Sequence, residues 1–302
     1  MENLGKVATL EPTKRTILLY GRSSAGKTAQ IGVLAEHIYK TTGKKTRLYS
    51  GDRGGVRTIQ PYIDLGIIEV EQMGEANPNL FLNNATKGRI RVAGKWVEGV
   101  RDTIGMYAFE SMRAYAEGMM AWMAKESGAG RNIGGGSNIA FTISADGESM
   151  KVAGSNPAHY GVAQATITDE VWSSQKLPAQ FILWTSSVSK DDDTTSSGKV
   201  LGPDVIGKAL TAEVPRWFDL TFRMDVIPAQ QGKPERHILY LGSHADVNAG
   251  NASALGNTRM ALDAPPLTQL TVEPADLVKA LSLIDGGHAL ATDVIRKRLN
   301  LK

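Results

Sequence analysis

Arg15-Thr16-Ile17-Leu18-Leu19-Tyr20, followed at once by Gly21-Arg22-Ser23-Ser24-Ala25-Gly26-Lys27-Thr28, is the stretch that decides the fold. Its first six residues form a short apolar run, as expected of a parallel strand buried on both faces. The next eight match G-x-x-x-x-G-K-T at every fixed position. Beyond them, Ile31, Leu34, Ala35 and Ile38 share one helical face between Lys27 and Lys40, with Gly43 as a stop. Strand, glycine-bounded loop and helix in that order aim consecutive backbone N–H groups, and the positive end of the helix, at a polyphosphate. Gly21 and Gly26 allow the turn and close backbone approach, Lys27 can place a point charge on the β and γ phosphates, and Thr28 can offer its hydroxyl to Mg²⁺. ATP is the ligand this pattern predicts.

Outward from that unit, a second strand is predicted at Thr46 to Ser50 and a third apolar run at Ile67 to Val70. Thr103 to Phe109 reads as another strand and Ser111 to Lys125 as a long helix, whose methionines suit core filling. Ala165 to Trp172 is helical in pattern, Gln180 to Ser187 is a buried strand, and Leu220 to Ile227 with His237 to Leu241 reads as a final strand pair. The alternation predicts an α/β fold: a three-layer core with a mostly parallel sheet. Two insertions are expected. One spans about 77–101, a loop plus a small hairpin around Arg89 to Val97, and the other about 128–155, a hairpin turning at Ala145-Asp146-Gly147. Ser189 to Gly202 reads as a polar loop, residues 13–262 as the core domain, and 263–302 as a linker and small helical tail.

Hydrolysis needs carboxylates at the carboxyl ends of strands beside the phosphate loop, to hold Mg²⁺ and orient a water. Glu110 closes the strand T-I-G-M-Y-A-F-E and is placed to serve the metal together with Thr28; Asp102, at the other end of that strand, competes for the role, and Glu110 also suits the start of the following helix. Asp52 ends the second strand in L-Y-S-G-D-R-G-G, where it could act as a general base or simply make the turn. Thr185, closing Q-F-I-L-W-T, can reach the γ phosphate or serve as a strand-end hydroxyl.

Composition narrows the chemistry. With 302 residues, 42% hydrophobic and 22% charged, the chain can bury a sizeable core. It has no cysteine, which removes disulfides, thiolate zinc sites and cysteine nucleophiles. Five histidines, His37, His159, His237, His244 and His288, are scattered without ligand spacing, so no metal beyond Mg²⁺ is assigned. Met1 to Lys6 lacks the apolar core of a secretory signal and no long apolar span occurs, so a cytoplasmic location is expected, host cytoplasm if the chain is viral. A net charge of +3 leaves the partner open.

In order and spacing, the segments G-R-S-S-A-G-K-T at 21–28, S-G-D-R-G-G at 50–55, Y-A-F-E-S-M at 107–112, L-W-T-S-S at 183–187 and G-P-D-V-I-G-K-A-L at 202–210 resemble the RecA-like P-loop ATPases, and within them the bacteriophage ATP-binding proteins of the Sak-type single-strand-annealing recombinase group. The first segment is the specific one. The resemblance implies a RecA-like topology, ATP hydrolysis with Asp52 acting on the attacking water and Glu110 on Mg²⁺, and action on single-stranded DNA in phage recombination or replication. It also implies a homo-oligomeric ring or filament in which Lys190, Lys199, Lys208 or Arg216 reaches a neighbour's nucleotide. Glutamate at 110, where aspartate is usual, departs from the pattern. For DNA, the basic stretch Lys87, Arg89, Arg91, Lys95 with Trp96 and the glycine-rich loop around Arg131 combine charge with an aromatic or flexible backbone, and Arg296-Lys297-Arg298 with Lys302 could add backbone contacts. The other classes open to the chain are a nucleotide-binding structural or packaging protein, and a small-molecule kinase, which lacks an arginine-rich lid after the core.

Overall fold

A computed structural model describes residues 14–298 apart from 53, 75–76, 129–138, 146–147, 155–156, 189–201, 207, 230–232, 242–244, 247–251, 254–256 and 259–270. In chain order the elements are β1 (Arg15–Gly21), α1 (Lys27–Thr42), β2 (Lys45–Ser50), α2 (Gln60–Asp64), β3 (Ile68–Gln72), α3 (Pro78–Ala85), β4 (Ile90–Val92), β5 (Lys95–Val97), β6 (Ile104–Glu110) and α4 (Met112–Gly128). They continue with β7 (Ile139–Ala145), β8 (Glu148–Gly154), α5 (Pro157–Ser174), β9 (Phe181–Val188), β10 (Pro203–Asp204), α6 (Lys208–Glu213), β11 (Leu220–Ile227) and β12 (Arg236–Tyr240). Three two-residue strands follow, β13 (Ala245–Asp246), β14 (Ala252–Ser253) and β15 (Asn257–Thr258), then β16 (Thr271–Val272) and α7 (Leu277–Arg298).

The main sheet runs β16-β12-β11-β1-β9-β6-β2-β3. From β11 to β3 every neighbouring pair is parallel, while β12 and β16 add an antiparallel edge. The phosphate-loop strand β1 is thus central, and β9 stands between it and the strand β6 that carries Glu110. Alternating side chains feed two cores, one on each face. Ile17, Leu19, Met106, Ala108 and Leu183 meet Ile31, Leu34, Ala35 and Ile38 of α1 and Leu277, Ala280, Leu281 and Ile284 of α7. Leu18, Tyr107, Phe109, Ile182 and Trp184 meet α3, α4 and α5 on the other side. Helix, sheet, helix is the three-layer α/β arrangement expected, and it follows from strands that are apolar at consecutive positions and so need covering on both faces. No helix among the described residues is long and apolar enough to cross a membrane.

Within this frame the structure corrects part of one expectation. Residues 78–85, read as loop, form α3, whose Phe81, Leu82 and Ala85 are fully buried. Asn77 caps the helix by accepting from the N–H groups of Asn79 and Leu80, and Pro78 occupies the first turn, where its missing N–H costs nothing. The Asn-Pro pair had the same local appearance as a turn. The hairpins themselves are present: β4 pairs with β5, and β7 with β8, while the expected turn at Asp146-Gly147 lies outside the described residues. The helical tail forms the single helix α7, which packs on α1.

Gly21 joins the last position of β1 to β11. A Cβ there would lie 2.2 Å from the carbonyl oxygen of Met224, which is backbone and cannot rotate away. Gly21→Ala is therefore expected to lower stability by about 2 kcal/mol, as overpacking a fixed core does, and to lower the midpoint of thermal unfolding by roughly 5 °C. Circular dichroism melting checks this, and an unchanged midpoint would show that β11 is not held so close.

Candidate functional site

The segment after β1 folds by alternating handedness. Ser24 (φ 63°) and Gly26 (φ 94°) are left-handed on either side of Ala25, an alternation that turns successive N–H groups inward to form an anion-binding concavity. Gly26 caps α1 without a side-chain hydrogen bond, and the first turn holds no acidic residue. The N–H groups opening α1 therefore have neither a carbonyl one turn earlier nor a capping oxygen, and the positive end of the helix is left for a ligand. Lys27 donates to the carbonyl oxygens of Gly21 (2.9 Å) and Arg22 (2.8 Å), folding back over its own loop.

Three further strands stand in a row beside the loop, β2 and β6 presenting their ends and β9 running three residues beyond Thr185. Tyr49, Phe109 and Trp184 point to the α4 side and stack, Tyr49 on Phe109 at 5.5 Å and Phe109 on Trp184 at 4.5 Å between ring centroids. The next residue in each strand, Ser50, Glu110 and Thr185, therefore points to the α1 side. Ser50 pairs in register with Glu110, and Tyr115 locks the row from below by donating to the Tyr49 carbonyl at 2.6 Å. Rigid aromatic packing beneath thus sets the positions of the polar groups above.

These groups converge. Glu110, only 3% exposed, accepts from the hydroxyl of Thr28 at one carboxylate oxygen, and the hydroxyl of Ser50 lies 2.9 Å from the other. The Ser111 N–H donates to Thr185 Oγ1 at 2.9 Å, and Ser111 itself is held at φ 69°, a strained conformation for a residue with a side chain. Asp52 is exposed at the rim, where its Oδ1 accepts from Gly54 N–H at 2.9 Å. A cavity of about 590 Å³ opens among Lys27, Thr28, Asp52, Glu110, Thr185 and His237. That is the size of a small-ligand site.

The charges in it are strained by burial. Desolvation pushes the Glu110 carboxyl above the ordinary carboxylate range, partly offset by the hydroxyls of Thr28 and Ser50, while Asp52 adds to the rise and Lys27 opposes it. Desolvation likewise lowers Lys27, against the attraction of Glu110 and Asp52. Both groups would be relieved by a ligand bringing opposite charge: a polyphosphate for Lys27, a cation for Glu110. A buried carboxylate flanked by two hydroxyls is an all-oxygen donor set, which suits a hard divalent cation such as Mg²⁺ that shares its shell with waters and phosphates.

Of the residues expected at the site, Gly26, Lys27, Thr28, Ser23, Ser24, Asp52, Glu110 and Thr185 line this one cavity. Gly21 closes the strand beneath the loop, Ala25 is buried within the loop, and Arg22 is exposed with its guanidinium 3.7 Å from Asp225. Asp102 precedes β6 and is a strand length away from the cavity, so Glu110 is the acid of the pair that reaches it. Sequence reasoning missed Thr58 and His237 in this lining, and Ser50 behind it, whose hydroxyl lies 2.9 Å from Glu110. Ser50 could have been found from the repeated aromatic-polar pairs Tyr49-Ser50, Phe109-Glu110 and Trp184-Thr185; His237 carried no local signal.

The basic residues considered for DNA are differently placed. Arg89 pairs with Glu98 at 2.7 Å and Arg91 with Glu71 at 3.2 Å, while Lys87 and Lys95 are exposed, Lys87 donating to Asn83 Oδ1 at 2.8 Å. Trp96 packs edge-on to Phe81 at 5.7 Å, with Arg91 over its ring. Lys190, Lys199 and the loop around Arg131 lie outside the described residues, as does Lys302. Arg216 is exposed and precedes β11, at the opposite end of that strand from Met224, which pairs with Gly21.

No family model matches the chain, and no curated protein matches it in sequence. Among solved structures it is similar to a KaiC-like protein of the hyperthermophilic archaeon Pyrococcus horikoshii, with 9% identity, a TM-score of 0.40 and coverage of 79% of this chain and 83% of that one. It is also similar to the flagellar accessory protein FlaH of Methanocaldococcus jannaschii, with 9% identity, a TM-score of 0.37 and coverage of 75% and 77% respectively.

Proposed function

We propose that this chain is a RecA-like ATPase: it binds ATP through Gly21 to Thr28 and hydrolyses it slowly with the help of Mg²⁺. The observation that carries the reading is the direct link between loop and acid, in which the Thr28 hydroxyl donates to the buried Glu110 carboxylate across the mouth of a cavity that also holds Lys27. Main-chain N–H groups of the loop hold the phosphates. Lys27 leaves the carbonyls of Gly21 and Arg22 to neutralise the β and γ phosphates. Thr28 and Glu110 would hold Mg²⁺, which supplies Lewis-acid stabilisation of charge on the transferring phosphoryl group. Asp52 faces the same space from the end of β2 and orients the attacking water, and Thr185 stands where it can report on the γ phosphate.

Asp52→Asn separates binding from turnover. Nucleotide affinity is expected to stay within about twofold while hydrolysis falls about 100-fold, the lower range for losing a general base. Equal turnover in the variant and the parent chain would reduce Asp52 to a turn residue.

On the finer reading, the protein works on single-stranded DNA as a ring or filament in phage recombination or replication; it draws its support from the set of five segments resembling the Sak-type group. A second reading, a nucleotide-binding structural or packaging protein, is favoured by the carboxylate partners of Arg89 and Arg91 and by the packing of Trp96 on Phe81, which leave Lys87 and Lys95 as the exposed cations of the stretch. Magnesium-dependent ATP hydrolysis measured with and without single-stranded DNA, across a salt series, decides between them. Stimulation that fades as salt rises supports the strand-handling reading; indifference to the strand supports the second.

A further inference from the structure

Resting on the phosphate-loop reading above, we propose that His237 is a positioning residue that sets the direction of an N–H group in the anion cradle. His237 lies on β12, two strands from β1, yet its Nδ1 is 3.1 Å from the carbonyl oxygen of Ala25 in the loop. A carbonyl oxygen only accepts, so Nδ1 carries the proton and donates. The Ala25–Gly26 peptide is trans, so its C=O and N–H point to opposite sides. Holding the Ala25 oxygen toward β12 therefore fixes the direction of the Gly26 N–H on the other side of the peptide plane.

Two further observations show that the imidazole is held for this purpose. Its other nitrogen, Nε2, lies 3.1 Å from Glu235 Oε1, and with both nitrogens protonated the ring donates to this carboxylate and to the Ala25 carbonyl together. Its own backbone is anchored to the helix that the loop opens: the His237 carbonyl accepts from Ala275 N–H at 2.9 Å, the Ala275 carbonyl accepts from Gln30 Nε2 at 2.9 Å, and Gln30 Oε1 accepts from Leu277 N–H at 2.7 Å. From α1 through the start of α7 to β12 and back to the loop, the hydrogen bonds form a closed circuit. Gly26, at φ 94°, is the residue in which a peptide rotation meets the least steric resistance, so an external restraint there matters most. His237 touches the loop's main chain and acts on the phosphates through it.

Titration calorimetry with two probes, magnesium-ATP and magnesium-tripolyphosphate, on the full chain tests this. His237→Ala is expected to weaken both by the same factor, roughly 5- to 10-fold for one hydrogen bond. His237→Asn, whose amide nitrogen takes the place of Nδ1, is expected to restore both affinities to within about twofold of the parent. Since the ring is 38% exposed, both variants should melt as the parent does. Loss of ATP affinity with tripolyphosphate binding intact would overturn the proposal, because the ring would then be touching the nucleoside. Equal losses in the alanine and asparagine variants would overturn it in favour of packing. Full affinity in His237→Ala would overturn it alone, whereas a parent chain that binds neither probe would remove the phosphate-loop reading itself.

Discussion

On the proposed reading, Lys27→Ala is expected to abolish stabilisation of this protein by magnesium-ATP, with nucleotide affinity falling about 100-fold or more, the usual cost of removing one partner from a desolvated charge pair. Burial already lowers the pKa of the ammonium, and Glu110 and Asp52 pull against that shift. Before ligand arrives the ammonium is satisfied by the carbonyls of Gly21 and Arg22 at 2.9 and 2.8 Å. Neutral carbonyls compensate a partly desolvated cation less well than a polyphosphate does, so the exchange favours binding. Thermal shift with and without magnesium-ATP checks the point, because a ligand bound only by the folded state raises the melting temperature in proportion to the logarithm of its saturation. The parent should show a shift of several degrees and the variant none at the same concentration. A full shift in Lys27→Ala would mean that the ammonium faces something other than phosphate.

Glu110→Gln has the second large effect, and it runs in opposite directions for activity and stability. Turnover should drop at least 100-fold, comparable to losing one preorganised electrostatic group, because an amide is a poor ligand for Mg²⁺. Without nucleotide or metal, the same variant should be more stable at neutral pH, by about 1 kcal/mol or roughly 2 °C, as is common when a buried functional charge is removed. The sign follows from proton linkage. Burial raises the folded-state pKa of Glu110 above its unfolded value, so at acid pH, with the carboxyl protonated in both states, it has no effect on stability. As pH rises through the ordinary carboxylate range the unfolded chain ionises first, unfolding releases a proton, and the folded state loses ground until Glu110 itself ionises. Glutamine lacks this penalty. The stability difference between variant and parent should therefore be absent below the ordinary carboxylate range, grow through it, and be complete above the raised pKa. Melting curves over pH, free of divalent metal, measure it directly; a difference that is flat with pH would show that Glu110 does not carry a burial cost.

Much of this was legible in the residues themselves because it depends on neighbours in the chain. An apolar run, a glycine-bounded loop ending in Lys27-Thr28, and helical spacing from Ile31 to Ile38 encode strand, cradle and helix within 24 residues, Arg15 to Ile38. The strands β1, β6 and β9 were likewise visible as apolar runs, as expected of strands covered on both faces, whereas β2, β3 and β11 interleave polar residues with apolar ones. Glu110, Asp52 and Thr185 could be placed at strand ends, and that alone put them on the same edge of a parallel sheet.

The remainder had to wait for the third dimension. Whether Glu110 or Asp102 serves the site depends on which end of β6 meets the loop, and that is set by the parallel pairing of β6 with β9 and of β9 with β1. Asn77-Pro78 reads locally as a turn or as a helix start, and burial of Phe81 and Leu82 against the sheet settled it as α3. Arg89 and Arg91 looked like a basic surface until Glu98 and Glu71 folded beside them. Most of all, His237 stands 212 positions from Ala25 along the chain. Short-range patterns record covalent geometry and hydrophobic period, which travel with the sequence; a hydrogen bond between strands that close late in the chain exists only after the sheet has assembled. The amino acids therefore determined that a cradle of main-chain N–H groups would form between strand and helix, and packing across the sheet decided which side chains stand around it.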